Sequence, residues 1–147
     1  MQFRRFNNIY FVRIDRGEEI MSSLEKLCAD EKITLAEVKA LGAVDDFEVG
    51  LFDVAEKKYH KNNFKFPAEI TSFWGTVTTK EGKIYLHIHM SAADVKGQVF
   101  GGHLSRAVVS ATCEMIVHDI SEGSSNGFAV ERKFNEEVGL NLFEFLN

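Results

Sequence analysis

The chain has 147 residues, a length that fits one domain with a core large enough to need no disulfide or metal staple. Hydrophobic residues make up 45% of it and charged residues 27%, which excludes a disordered or membrane-embedded chain. The formal net charge of −5 repels a phosphate backbone, so nucleic-acid binding would need a local basic patch or another module.

Cys28 and Cys113 lie far apart in apolar contexts and predict buried thiols in a reducing compartment. In MQFRRFNNIYFVRID the apolar stretch is short and is broken by Arg13 and Asp15, so neither a signal peptide nor a membrane span is expected, and the cytoplasm is the expected location. Thirteen Phe against one Trp suggest a well-filled core or apolar surface covered by a partner subunit.

In chain order, Ile9 to Ile14 reads as a first strand closed by Asp15-Arg16-Gly17. From Glu18 a helix follows, with Ile20, Leu24, Leu27 and Cys28 on one face, Met21 widening that stripe, and Glu18 and Glu19 in the first turn. Ala36 to Val44 and Phe47 to Phe52 read as strands, and the polar run Asp53 to Asn63 as a hairpin or loop whose Lys57, Lys58 and Lys61 form a solvated turn. Pro67 precedes a strand from Glu69 to Thr78, and Lys80-Glu81-Gly82 turns the chain into Lys83 to Ser91. After a loop and a Gly101-Gly102 turn comes an alternating stretch from Ala107 to Val117. A Ser/Gly/Asn loop (Ser121 to Gly127), a strand near Phe128 to Phe134 and an apolar tail from Leu140 to Leu146 complete the pattern.

The segment KIYLHIHMS carries the chemistry. Ile84, Leu86, Ile88 and Met90 alternate with Lys83, Tyr85, His87, His89 and Ser91, the period of a half-buried strand. His87 and His89 therefore share one face, with Cα atoms roughly 6–7 Å apart, and can converge on one ion. His103, directly after two glycines, is the third candidate. Three imidazoles would make a catalytic-type zinc set with one open position. The competing reading is a pair of solvated or hydrogen-bonded histidines on an exposed face. His60 falls in the lysine-rich loop and is expected in solvent. Glu114 is a candidate for supporting the metal ligands or handling a proton, Glu48 is a second candidate for handling a proton, and His118, on the face of Glu114, would support the ligands if that face meets the site.

In the 107–117 stretch, Ala107, Val109, Ala111, Cys113, Met115 and Val117 form an apolar face. The opposite face mixes Arg106, Ser110, Thr112 and Glu114 with Val108 and Ile116, which points to a subunit interface.

LHIHMSAADVKGQVFGGHLSRAVVSATCEMIV resembles the core of the PPC domain (DUF296) of plants and prokaryotes, its most specific parts being HIH and GGHL. The likeness extends through ALGAVDDFEVGLFD, EITSFWGTV and ERKFNEEVGLNLF, nearly the whole chain. The resemblance implies a single α+β domain over residues 1–147: mainly an antiparallel sheet with one principal packed helix, assembling as a homotrimer. It also implies a metal, with zinc expected, at the positions of His87, His89 and His103. Plant members place an AT-hook before the domain, and the family's DNA-binding label derives largely from it. No such segment occurs in these residues, and Arg4-Arg5 lacks the flanking glycine or proline. Three functions stay open: a trimeric regulatory module with weak or partner-supplied DNA contact, a zinc enzyme acting on a small molecule, and a structural metal whose fourth ligand a neighbouring subunit supplies.

Overall fold

The computed structural model describes residues 1–121 and 129–146. Its nine strands form one sheet, antiparallel except where β8 meets β5, with one α-helix among the described residues. β1 (Gln2–Phe6) and β2 (Ile9–Asp15) make a hairpin. The sequence points to β2 alone because β1 buries nothing: every residue of it is exposed, so no apolar alternation marks it.

The helix α1 (Ile20–Glu31) buries Ile20, Leu24, Leu27 and Cys28, the expected stripe. Glu18 and Glu19 precede it rather than forming its first turn. The Glu19 carboxylate is the N-cap, accepting from the N–H groups of Met21 (2.9 Å) and Ser22 (2.7 Å). It also accepts from the Ala107 N–H (3.0 Å), which ties the helix start to β7 (Val99–Asp119). The helix ends at Lys32, in the left-handed region at φ 59°.

β3 (Ala36–Asp53) is one strand where the sequence suggests two. Register shifts around Gly42, Val44 and Asp46 interrupt its pairing with β7. Its first part also pairs with β5 (Ala68–Lys80), and its second part with β4 (Lys58–Phe64). The polar run is thus a turn followed by a strand. β5 continues through Glu81-Gly82, both at positive φ, into β6 (Lys83–Ala93), the geometry of a tight hairpin turn. The pairings β3–β5, β5–β6, β6–β7 and β7–β3 close into a ring.

One core joins this ring to the helix, with Phe47, Phe73, Ile88, Met90 and Leu104 buried among others. Along β7, Ala107, Val109, Cys113, Met115 and Val117 are buried as the alternation predicts. Ala111 is exposed, since the register shift between Gly42 and Val44 takes it off the buried face. Burial pushes both thiols, Cys28 and Cys113, up to about 12, so they are inert packing groups. β8 (Ala129–Asn135) and β9 (Leu140–Leu146) pair as a hairpin that meets β5 at Thr79–Glu131. Phe128 and the 122–127 part of the expected loop lie outside the described residues.

Candidate metal centre

The inward side chains of β6 are apolar and buried at Ile88 and Met90, which turns His87 and His89 to the outer face of the ring. The chain then reverses over Asp94 to Gln98. Asp94 Oδ1 accepts from the N–H groups of Lys96 (2.8 Å) and Gln98 (2.9 Å). β7 returns antiparallel, with Ser91 opposite Gly101, Met90 opposite Gly102 and His89 opposite His103.

Gly101 and Gly102 are therefore strand residues and not the turn expected from the sequence. Gly102 serves close approach instead. A Cβ there would lie 2.5 Å from the carbonyl oxygen of Gly50, so β7 reaches β3 at this point only without a side chain. Gly50 is in turn the register partner of His103.

The three imidazoles form a near-equilateral cluster, with centroid separations of 5.4 Å (His87–His89), 5.2 Å (His87–His103) and 5.6 Å (His89–His103). One ring nitrogen from each lies within 4.8 Å of the others. His87 and His103 are half-buried and His89 is exposed, so the cluster is rooted in the sheet and open at one side. None of these ring nitrogens hydrogen-bonds to another described residue. Burial first, then the positive charge of Arg132 and the neighbouring histidines, pushes His87 down to about 4. Burial and His89 likewise lower His103. Both rings are thus held neutral at pH 7, the form that ligates metals. Neutral, unpartnered nitrogen donors gathered in this way fit zinc.

Tyr59 of β4 and Arg132 of β8 frame the cluster, and sequence reasoning singled out neither. The Tyr59 hydroxyl donates to the His103 carbonyl (3.1 Å), and its ring stands edge-on to the His103 ring at 6.0 Å. Arg132 bridges to Thr76 and Thr78 of β5 (3.1 Å each), and Thr76 is the cross-strand neighbour of His87. A Tyr in a polar hairpin and an Arg far along the chain carry no local signal of this role.

The other candidates lie elsewhere. Glu114 sits further along β7 opposite Arg13, lining a groove with Phe3, Phe11 and Leu41, and is not brought to the histidines. His118 Nε2 lies 3.1 Å from Asn8 Nδ2. Glu48 accepts from Lys61 (2.8 Å), an interaction that lowers its pKa and leaves it committed. Lys57 donates to the carbonyls of Glu136 and Glu137, so two of the three loop lysines are engaged rather than merely solvated. His60 is exposed and forms a second possible ligand group with Asp53 and Glu56. In that group Asp53 Oδ1 accepts from the turn N–H groups of Ala55 and Glu56 (2.9 Å each).

The profile of the Plants and Prokaryotes Conserved (PCC) domain matches residues 1–121. Among solved structures, a plant- and prokaryote-conserved (PPC) protein of Pyrococcus horikoshii is 29% identical, with a TM-score of 0.84 over 97% of this chain and 93% of that one. A metal-containing protein of Archaeoglobus fulgidus is 31% identical, with a TM-score of 0.81 over 98% and 99% of the two chains. A protein of Bacteroides thetaiotaomicron whose name proposes DNA binding is 26% identical, with a TM-score of 0.91 over 98% and 96%. No curated protein matches. With the profile spanning most of its length, this chain belongs to the PCC (PPC) domain family.

Proposed function

We propose that this chain is a homotrimeric metal-binding protein of the PPC type, in which His87, His89 and His103 together hold a zinc ion. The observation that carries the reading is the convergence of three imidazoles whose nitrogens lie within 4.8 Å and have no partner among the described residues. Three nitrogen donors gathered this closely, on rings reachable from solvent and with no competing partner among the described residues, form the set that a tetrahedral zinc site uses. The metal-containing relative from Archaeoglobus fulgidus supports it. A regulatory role with weak or partner-assisted DNA contact accords with the name of the Bacteroides relative, while the net charge of −5 argues against strong duplex binding by the chain alone.

A specific observation favours a second reading. The ligand group among the described residues has three members and not four, the composition of catalytic rather than structural zinc sites. Bound there, zinc would supply Lewis-acid activation of water or a small electrophile. The protein's own part is to keep His87 and His103 neutral by burial and to fix the His103 backbone through Tyr59. A structural metal would need its fourth ligand from a neighbouring subunit.

The trimer reading draws on the outer side of β1, β2, β3 and β7. Phe6, Phe11 and Leu41 are 60%, 53% and 60% exposed, and a groove of about 1050 Å³ runs between them and Ile116. Contiguous apolar surface of this kind is covered in most stable proteins, and a second copy is the proposed cover.

Elemental analysis of purified protein beside its His87→Ala, His89→Ala and His103→Ala variants tests the site, with light scattering on the same samples. The expected result is close to one zinc per chain in the wild type, loss of metal in all three variants, and a solution mass near three chains. Equal metal content in wild type and variants would refute the site.

A further inference from the structure

Arg132 is 7% exposed, yet no described carboxylate pairs with it. Glu144, on the facing strand β9, is engaged by Lys133 (3.1 Å). Three of the five N–H groups of the guanidinium go to neutral acceptors: Thr78 Oγ1 (3.1 Å), Thr76 Oγ1 (3.1 Å) and the Asn141 carbonyl (3.3 Å). Two aromatic rings pack against it, with the guanidinium carbon 4.0 Å from the Phe143 centroid and 5.3 Å from that of Tyr85. Beside it, Asn141 donates to the Tyr85 hydroxyl (3.3 Å) while its own side-chain oxygen is buried without a partner.

A hairpin needing only an anchor would be held as well by an apolar side chain, because burying a cation among neutral groups is costly. An arginine is justified where a planar anion meets its fork. The position is specific. Nη2 bonds Thr76, the residue directly across from His87, so this end of the guanidinium lies beside the histidine cluster on the same sheet face. Trp74, across from His89, adds an exposed aromatic wall to that face.

We propose that the ligand of this site is a small molecule bearing an oxyanion, which pairs with Arg132 while another part of the molecule lies over the three histidines. The inference rests on the metal reading for this second anchor. Duplex DNA is the less suited occupant. Its phosphates sit on a convex surface, whereas Arg132 is recessed under Phe143 in a chain of net charge −5.

The test uses the full chain, zinc-loaded and chelator-treated, titrated separately with inorganic phosphate and with acetate while the side-chain N–H resonances of Arg132 are followed by NMR. Saturable shifts are expected with at least one anion, tighter with zinc bound; in Arg132→Met, followed through the backbone amide resonances of Thr76 and Thr78, the same anion is expected to bind about tenfold or more weakly with zinc content unchanged. Should Arg132→Met not fold, Arg132→Lys, which keeps the charge and loses the fork, is expected to show the same weakening. Preference for phosphate identifies a phosphate ester, and preference for acetate a carboxylate. Unmoved Arg132 resonances, wild-type affinity in the folded variant, or equal affinity with and without zinc in a chain that carries the metal would overturn the proposal. The same resonances shifting with an A·T-rich duplex, and not with the small anions, would overturn the choice of ligand. A chain that takes up no zinc by elemental analysis would instead overturn the metal reading beneath it.

Discussion

His87 carries a consequence for stability that can be read without any ligand. Its folded-state pKa lies at about 4 against an ordinary 6.5, because burial and the charge of Arg132 disfavour the imidazolium. Between those two values the unfolded chain takes up a proton that the folded chain refuses, so protonation favours unfolding and stability rises with pH through the window. Metal-free protein is therefore expected to be fully stable above pH 6.5 with respect to this group and to lose stability as the pH falls toward 4. Thermal unfolding of the chelated protein across that range checks it, and His87→Ala should flatten the dependence. Tyr59→Phe tests a second side chain: removing the hydroxyl that donates to the His103 carbonyl should cost about 0.5–1.5 kcal/mol in denaturant unfolding and weaken zinc retention against a chelator. His87 and His89 were legible in the sequence because strand alternation fixes their shared face, whereas His103 was reached through a glycine turn that is strand in the structure. Tyr59 was not, because its bond spans 44 residues and depends on β4 lying against β3, which no local pattern announces.

The β6–β7 hairpin is the element that assembles the site, and its weak point is Gly102. In Gly102→Ala the new methyl would meet the Gly50 carbonyl oxygen at 2.5 Å, forcing β3 and β7 apart where His103 is held. A loss of about 1–3 kcal/mol is expected, together with reduced zinc content, measured on one preparation by denaturant unfolding and elemental analysis. Further along β7, Glu19→Ala removes the helix cap and leaves the Ala107 N–H without its acceptor, at an expected cost of about 1–2 kcal/mol and with no effect on metal content. The contrast between the two variants separates damage to the fold from damage to the centre. These elements also show where sequence patterning reaches its limit. The helix stripe from Ile20 to Cys28 was plain, since amphipathic spacing encodes it directly. Gly101-Gly102 reads as a turn because glycine pairs usually are turns; that Gly102 admits the backbone of β3 and Gly101 that of β6 follows only from the pairing of β7 with both strands. β3 reads as two strands because register shifts near Gly42 to Asp46 break its alternation without breaking the strand.

Across the molecule, the antiparallel sheet with its one helix was legible through family resemblance as well as alternation, whereas the ring closure of β3, β5, β6 and β7 depends on pairings remote in sequence. The groove beside Phe11 and Leu41 leads to an expectation for assembly: Leu41→Asp should lower the mass seen by light scattering toward one chain while the far-ultraviolet circular dichroism is retained. With a net charge of −5, binding to an A·T-rich duplex should be weak, with a shallow dependence on salt. The centre itself is probed most directly by X-ray absorption at the zinc edge of the purified protein. The expected spectrum is that of zinc bound to three imidazole nitrogens at about 2.0–2.1 Å, with imidazole scattering lost on His103→Ala. Zinc surrounded by sulfur, or a spectrum unchanged by substitution of any of the three histidines, would contradict a centre built from His87, His89 and His103.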